Sequence, residues 1–208
     1  KPVYWAADRT ESFLSDEHAR AVSGSAVLGI DDEGMFTSLW VEAKTDAGAY
    51  LSRRTKGLLN NIGGVAGQYR TPVIGAELYF YYTNTMQTSP YRGFGRPEAT
   101  YIIERLIDKA ARQIGKDALA LRQRNLITPS QMPYQTGLTY SYDCGDFPKI
   151  LVTAAEEADY QGFNLRREQS KSRGLLRGIG ISNPIEVAGG PFKQMRKDVA
   201  CITARPDG

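Results

Sequence analysis

The sequence predicts an α+β fold, mixed sheets with packed helices, from three observations. Period-two hydrophobic alternation dominates the first part of the chain, helical periodicity dominates the middle, and strand-like runs return near the end. The regular strand–helix alternation of a parallel α/β sheet is not the pattern seen. At 41% hydrophobic and 24% charged, with 21 Gly and 10 Pro in 208 residues, the composition is that of a globular chain. The balance of 26 Lys+Arg against 23 Asp+Glu, a formal charge of +3, argues against a dedicated nucleic-acid binder. The length suits one large domain or two lobes, 1–128 and 129–208.

Each element has its own reason. Val22, Ala26, Leu28 and Ile30 alternate with Ser23, Ser25 and Gly29, which predicts a strand with one buried face. Asp31-Asp-Glu-Gly34 supplies a turn, and Met35, Leu39, Val41 and Ala43 alternate with Ser38, Glu42 and Lys44 to complete a β-hairpin. Residues 51–67 read as a short helix weakened by Gly57, Gly63, Gly64 and Gly67. Residues 73–85, rich in Tyr, Phe and Val, read as a strand.

The clearest helix opens at Pro97 and stops at Gly115. Ile103, Leu106, Ile107, Ala110 and Ile114 line one face, while Glu104, Arg105, Asp108, Lys109 and Arg112 take the other. A second helix spans 117–126. Residues 128–147, with Pro129, Pro133, Gly137 and Gly145, read as a long ordered loop, a feature often tied to function. Helices follow at 148–160 and 164–172, and strands at 179–187 and 199–204. The closing Arg-Pro-Asp-Gly turn follows a strand with no partner left, and Lys1 stands where Met would, so the chain is expected to be a segment of a longer polypeptide. The richest apolar stretch, 73–86, is broken by Glu77, Thr83 and Asn84, which predicts no membrane span.

The chemistry concentrates in residues 89–98, Ser-Pro-Tyr-Arg-Gly-Phe-Gly-Arg-Pro-Glu, between a strand and the best helix. Gly93 and Gly95 admit backbone angles closed to other residues and let a ligand approach the main chain. A helix opening at Pro97 is expected to leave the amides of Glu98, Ala99 and Thr100 unpaired. This combination favours an anion or an oxo ligand. Arg92 and Arg96 add positive potential, and Phe94 is available to stack on a flat substrate. Glu98 stands where a GxGxxG fingerprint needs glycine, so a Rossmann dinucleotide site fits poorly. On these residues alone the alternative is a glycine-rich corner with a packed Phe and surface arginines.

Other nucleophile and metal chemistry finds little support. Cys144 and Cys201 are far apart, lack CxxC spacing, and read as free thiols. His18 is the single histidine and cannot build a triad or a His-based metal site alone, and no G-x-S-x-G is present. Arg20 reads as a surface charge or ion-pair partner, and Glu77 as structural.

Several motifs in order carry a resemblance: Tyr91-Arg-Gly-Phe-Gly-Arg-Pro-Glu-Ala99, Tyr101-Ile-Ile-Glu-Arg-Leu-Ile-Asp108, Ile114-Gly-Lys-Asp117, Leu121-Arg-Gln-Arg-Asn-Leu-Ile127, Met132-Pro-Tyr134, Tyr142-Asp-Cys-Gly-Asp-Phe147 and Arg177-Gly-Ile-Gly180. With Pro2-Val-Tyr-Trp-Ala-Ala-Asp-Arg-Thr-Glu11 at the start, the whole chain resembles the molybdopterin-binding large subunit of the molybdenum hydroxylases. That family comprises xanthine dehydrogenase, aldehyde oxidase and carbon monoxide dehydrogenase, and the chain is most similar to its bacterial carbon monoxide dehydrogenase-like branch.

The resemblance implies part of the first molybdenum-cofactor-binding region of an oxidoreductase that hydroxylates an aldehyde or N-heteroaromatic substrate with water-derived oxygen. It implies a molybdenum–molybdopterin cofactor in the cytosine dinucleotide form, with [2Fe–2S] clusters and FAD on partner subunits or domains. Arg92, Gly93 and Gly95 would bind the cofactor, Arg92 largely through its backbone amide near the molybdenum ligands. Phe94 would stack on the substrate, with Tyr91 and Glu186 as further pocket residues; a solvated carboxylate is the alternative for Glu186. No residue is expected to bind metal directly. The family's catalytic glutamate, its GQG segment and an upstream Gly/Phe segment should lie outside residues 1–208, so the isolated chain is expected to be inactive. The implied partners are the remainder of the large subunit, iron–sulfur and flavin subunits and a small-molecule substrate, in the cytoplasm, with the periplasm open to the full complex. Gly93 replaces the copper-holding cysteine of carbon monoxide-oxidising members, and Arg96 replaces a glycine of xanthine-type enzymes. The rival reading is a non-catalytic assembly or interaction module on the same scaffold.

Overall fold

The computed structural model describes residues 1–51, 61–186, 201 and 203. A short helix, α1 (Arg9–Ser15), precedes the predicted hairpin of β1 (Val22–Ile30) and β2 (Phe36–Gly48). A 3-10 turn (Ile62–Ala66) leads to β3 (Val73–Tyr82), and the main helices α2 (Arg96–Gln113) and α3 (Ala118–Asn125) follow. A second 3-10 turn (Pro129–Gln131), a two-stranded ribbon, β4 (Tyr134–Gln135) with β5 (Ser141–Tyr142), and helices α4 (Phe147–Glu157) and α5 (Phe163–Lys171) complete the described elements. The architecture is α+β with a mixed sheet.

The three-stranded sheet has the order β1-β2-β3. The hairpin is antiparallel, whereas β2 and β3 run parallel, with Leu39 opposite Ile74 and Ala43 opposite Leu78. Parallel neighbours need a crossover, and of the described residues between β2 and β3 the 3-10 turn packs Val65 and Ala66 into the core. Strand alternation then decides burial: Leu39, Val41 and Ala43 are buried, while Trp40 faces outward and lies over Gly75. A Cβ at Gly75 would stand 2.5 Å from the Trp40 ring, so a larger residue here would push that exposed ring aside.

Against the inner face α2 lays Ala99, Ile103, Ile107 and Ala110, at helical spacing and all buried. Two expectations fail on this helix. Ile114, assigned to the apolar face, is exposed as the residue capping the helix end. Glu104, assigned to the solvent face, is buried because Arg122 of α3 is fully buried beside it. The Arg122 Nε lies 2.9 Å from Glu104 Oε2 and its Nη2 lies 2.8 Å from Asp108 Oδ1. The guanidinium also donates to the carbonyls of Glu104, Ala118 and Ile181, and Tyr69 donates to Glu104 Oε1 at 2.7 Å. Every face of the buried ion is thus engaged, as burial of charge requires. Asn125, one turn on, accepts from Phe36 N–H and donates to the Gly34 and Leu121 carbonyls, tying α3 to the β1–β2 turn. Asp117 caps α3, accepting from the amides of Leu119 and Ala120.

Three further expectations are corrected. Of 51–67, only the 3-10 turn is observed among the described residues, and 52–60 lie outside them. Residues 179–186 form no strand: Pro184 removes a ladder donor, and side chains tether the segment instead, with Gln68 donating to the Pro184 carbonyl and Asn183 to the Tyr69 hydroxyl. Val187 and most of 199–204 lie outside the described residues. The third strand closes at Tyr82, where Thr83 N–H turns to the Gly48 carbonyl. Residues 128–147 are ordered as predicted, pinned by the small ribbon and by a Thr128–Gln131 capping box.

Candidate functional site

The glycine-rich segment before α2 is built from two overlapping turns that share Gly93 and Phe94. Phe94 N–H donates to the Tyr91 carbonyl at 2.8 Å, and Gly93 has φ +91 at the third position, the signature of a type II turn. Arg96 N–H donates to the Gly93 carbonyl at 3.1 Å across Phe94 and Gly95, with φ +41 and +89, both positive as in a type I′ turn. Only glycine takes such angles freely, which accounts for Gly93 and Gly95. Phe94 does not, and a bulky residue held at positive φ costs about 1–3 kcal/mol unless its surroundings dictate the geometry.

The surroundings do dictate it. Asn61 Nδ2 donates to the Phe94 carbonyl, and Tyr140 donates its phenol proton to Asn61 Oδ1 at 3.1 Å. On the opposite flank Arg20 donates to the Arg92 carbonyl, places its guanidinium 5.0 Å from the Tyr91 ring centroid, and lies 3.6 Å from Glu98 Oε2. Arg20 is therefore part of the loop's support, a role its sequence position did not reveal.

The turns also orient the free side of the loop. Tyr91 C=O points into the first turn, so the trans peptide faces Arg92 N–H outward; Arg92 C=O is taken by Arg20, so Gly93 N–H faces away from that guanidinium. The Arg92 side chain is exposed. Such a surface, amides plus a cation, suits an anionic or oxo-bearing group. A Cβ at Gly93 would stand 2.6 Å from the Pro97 ring, so no larger residue fits without moving the helix start.

One expectation about the helix terminus is revised. The helix opens at Arg96, one residue before Pro97, with Gly95 as its cap, and Ala99 N–H is already bonded to the Gly95 carbonyl at 3.0 Å. The anion-facing donors are therefore those of the turns more than of the helix.

All the sequence-predicted site residues converge here. Tyr91, Arg92, Gly93, Phe94 and Gly95 are the turns themselves, and Glu186 joins them through Arg96, whose Nε lies 2.6 Å from Glu186 Oε1. A cavity of about 500 Å³ lies beside this ion pair, lined by Gly93, Arg96, Thr100, Tyr101, Ile185 and Glu186. Tyr140 also faces Arg96 and Glu186; burial raises its phenol pKa, Arg96 opposes that rise, and the net result keeps it a proton donor at neutral pH. A larger groove of about 720 Å³ runs between β1 and α2, and meets the loop only through Arg20, Pro97 and Glu98.

Among the described residues no cluster of three or more His, Cys, Asp or Glu could hold a metal ion, and no helix is long and apolar enough to cross a membrane. Cys144 and Cys201 are both free and exposed. A metal at this loop would have to arrive on a group with its own donors, and the exposed arginine and outward amides fit such an anionic carrier.

Comparisons with known proteins identify the family. A family model described as the molybdopterin cofactor-binding domain matches residues 1–126. The gamma subunit of the 6-hydroxypseudooxynicotine dehydrogenase complex of Paenarthrobacter nicotinovorans is 32% identical over 195 residues, 90% of this chain and 24% of that protein. The carbon monoxide dehydrogenase large chain of Afipia carboxidovorans is 32% identical over 208 residues, 92% of this chain and 25% of that one. The crystal structure of quinoline 2-oxidoreductase from Pseudomonas putida 86 superposes with a TM-score of 0.76 at 29% identity, over 82% of this chain and 22% of the other. The chain spans about a quarter of the length of these curated relatives.

Proposed function

Because the chain belongs to the molybdopterin cofactor-binding domain family, we propose that it forms one wall of the active site of a molybdenum-dependent oxidoreductase large subunit that hydroxylates an N-heteroaromatic or aldehyde substrate. The observation that carries this reading is the double turn, which presents the Arg92 amide outward and holds Phe94 at positive φ beside it. Functional strain of this kind is expected where a side chain must be aimed.

When bound, the cofactor, in its cytosine dinucleotide form, supplies the redox centre that adds water-derived oxygen to the substrate. The chain's own contributions are positional. Arg92, through its backbone amide and its guanidinium, and the Gly93 amide hold the oxygen-rich side of the cofactor, while Gly93 and Gly95 leave room for close approach. Phe94 offers a half-buried ring against which a flat substrate stacks. Tyr91 and the Arg96–Glu186 pair border the entrance. The proton acceptor and the remaining cofactor contacts belong to the rest of the large subunit, and iron–sulfur and flavin partners carry electrons away. The kinship with a nicotine-derivative dehydrogenase and with quinoline 2-oxidoreductase supports an aromatic substrate. Carbon monoxide is not the expected substrate, since Gly93 offers no ligand for a soft copper ion.

The test is a substrate panel on the parent large subunit purified with its partners. N-heteroaromatics, aldehydes and carbon monoxide are supplied separately with an artificial electron acceptor, and molybdenum content is measured. Turnover of a heteroaromatic or an aldehyde is expected. Copper-dependent carbon monoxide oxidation alone overturns the substrate class, and absence of both molybdenum and turnover establishes a non-catalytic module instead. The 208-residue chain by itself, holding one wall, is expected to retain no molybdenum.

A further inference from the structure

The long loop 128–147 reaches the site through Tyr140. Its main chain is immobilised: the Tyr140 carbonyl accepts from Thr136 N–H at 2.9 Å, Thr136 Oγ1 at 2.8 Å and Gln135 Nε2 at 3.0 Å. Its ring is 3% exposed, lies edge-on to Tyr142, and fills the space over Gly63, where a Cβ would come within 2.6 Å of it. The phenol oxygen has little freedom to be anywhere else.

That fixed hydroxyl holds one end of the Asn61 amide while the Phe94 carbonyl meets the other. The Phe94 carbonyl can only accept, so Nδ2 is the end of the amide that meets it, and the phenol proton of Tyr140 goes to Oδ1 at the other end. Were the amide reversed, Oδ1 would face the Phe94 carbonyl with no proton between them. The Phe94 peptide, in turn, sits at φ +41, a conformation a phenylalanine keeps only under constraint.

We propose that Tyr140 is a positioning residue for Phe94: through the Asn61 amide it holds the Phe94 peptide in the left-handed conformation that aims the aromatic ring at the substrate side of the loop. The substrate part of this statement rests on the reading of Phe94 given above; the conformational part does not.

The experiment uses the full-length enzyme with its partners and the variant Tyr140→Phe, which removes one oxygen and keeps the ring. Loss of one buried hydrogen bond that orients a second is expected to speed amide hydrogen exchange of residues 91–96 about three- to tenfold, with β1, β2 and β3 unchanged. It is also expected to raise KM for a heteroaromatic substrate by about the same factor while kcat stays within about twofold and molybdenum content is unaltered. In a Phe94→Ala background, Tyr140→Phe should raise KM no further, because the ring it positions is gone. Asn61→Asp, which keeps the shape and removes the Nδ2 donor, should reproduce the exchange change and guards against a folding defect peculiar to position 140. Unchanged exchange at 91–96 in both variants overturns the proposal, as do additive KM effects with Phe94→Ala. If the wild-type enzyme turns over no panel substrate, the functional reading fails on its own, and the exchange measurement still decides the role of Tyr140.

Discussion

Replacing Arg122 with methionine removes the only cation among the buried groups it serves and leaves the carboxylates of Glu104 and Asp108, with three carbonyls, short of a donor. Arg122 is fully buried and Glu104 is 5% exposed, so water cannot substitute without opening the core. Breaking a buried pair by deleting one partner costs about 3–5 kcal/mol, against nearly nothing for an exposed pair. For a chain of this length each kcal/mol lowers the midpoint by about 2–4 °C, so a fall of about 6–20 °C is expected. Urea denaturation should give the same free-energy loss as a lower midpoint with an unchanged slope. The double variant Arg122→Met, Glu104→Met should recover much of it, because the most buried orphan carboxylate is gone. A loss below about 1 kcal/mol, or a double variant no better than the single, refutes the claim that unpaired charge is the cause.

Two other outcomes follow from the site and the tyrosines. In the full enzyme Phe94→Ala should raise KM for an aromatic substrate about three- to tenfold, the worth of one stacking contact, with molybdenum retained; unchanged kinetics remove Phe94 from the substrate wall. At high pH, Tyr160 is held protonated by burial and by its hydrogen bond to Asp117, with its pKa pushed up to about 12, and burial moves Tyr69 and Tyr142 in the same direction. A group whose folded pKa is raised contributes stability that is complete below the unfolded value, about 10, and is lost as pH climbs through the folded one. Phenolate absorbance followed against pH should lose a component with midpoint about 12 in Tyr160→Phe. Loss of a component near 10 instead contradicts the assignment.

Local pattern made the hairpin, α2 and α3 legible, since alternation in β1 and β2 and the spacing of Ile103, Ile107 and Ala110 each report which face is buried. The same pattern is silent about partners. The Tyr, Phe and Val content of 73–82 marks a strand, not that β3 would lie parallel to β2. Glu104 was misplaced because its burial is licensed by Arg122, eighteen residues away, and charge in a helix ordinarily faces water. The helix α1 carries a sequence signal of its own, Asp8 followed three residues later by Glu11, and Asp8 accepts from Glu11 N–H. At the site, Gly93 and Gly95 disclosed the loop through backbone freedom alone. Arg20, Asn61 and Tyr140 could not be found that way, because each acts on a carbonyl and nothing in a side chain's identity says which carbonyl it will meet.

The overlap of the two turns, at Gly93 and Phe94, leaves the loop no slack. Gly93 is the third residue of one turn and the first of the next, and the second turn closes on Arg96, the first residue of α2. An insertion or deletion of a single residue between Arg92 and Pro97 cannot be absorbed by either turn and passes into the helix as a change of phase, about 100° of rotation per residue. Ala99, Ile103 and Ile107 would swing off the sheet, and Glu104 would swing away from Arg122. The length of this loop is thus under the control of the core, and the geometry of the site is metered by the same helix that packs the sheet.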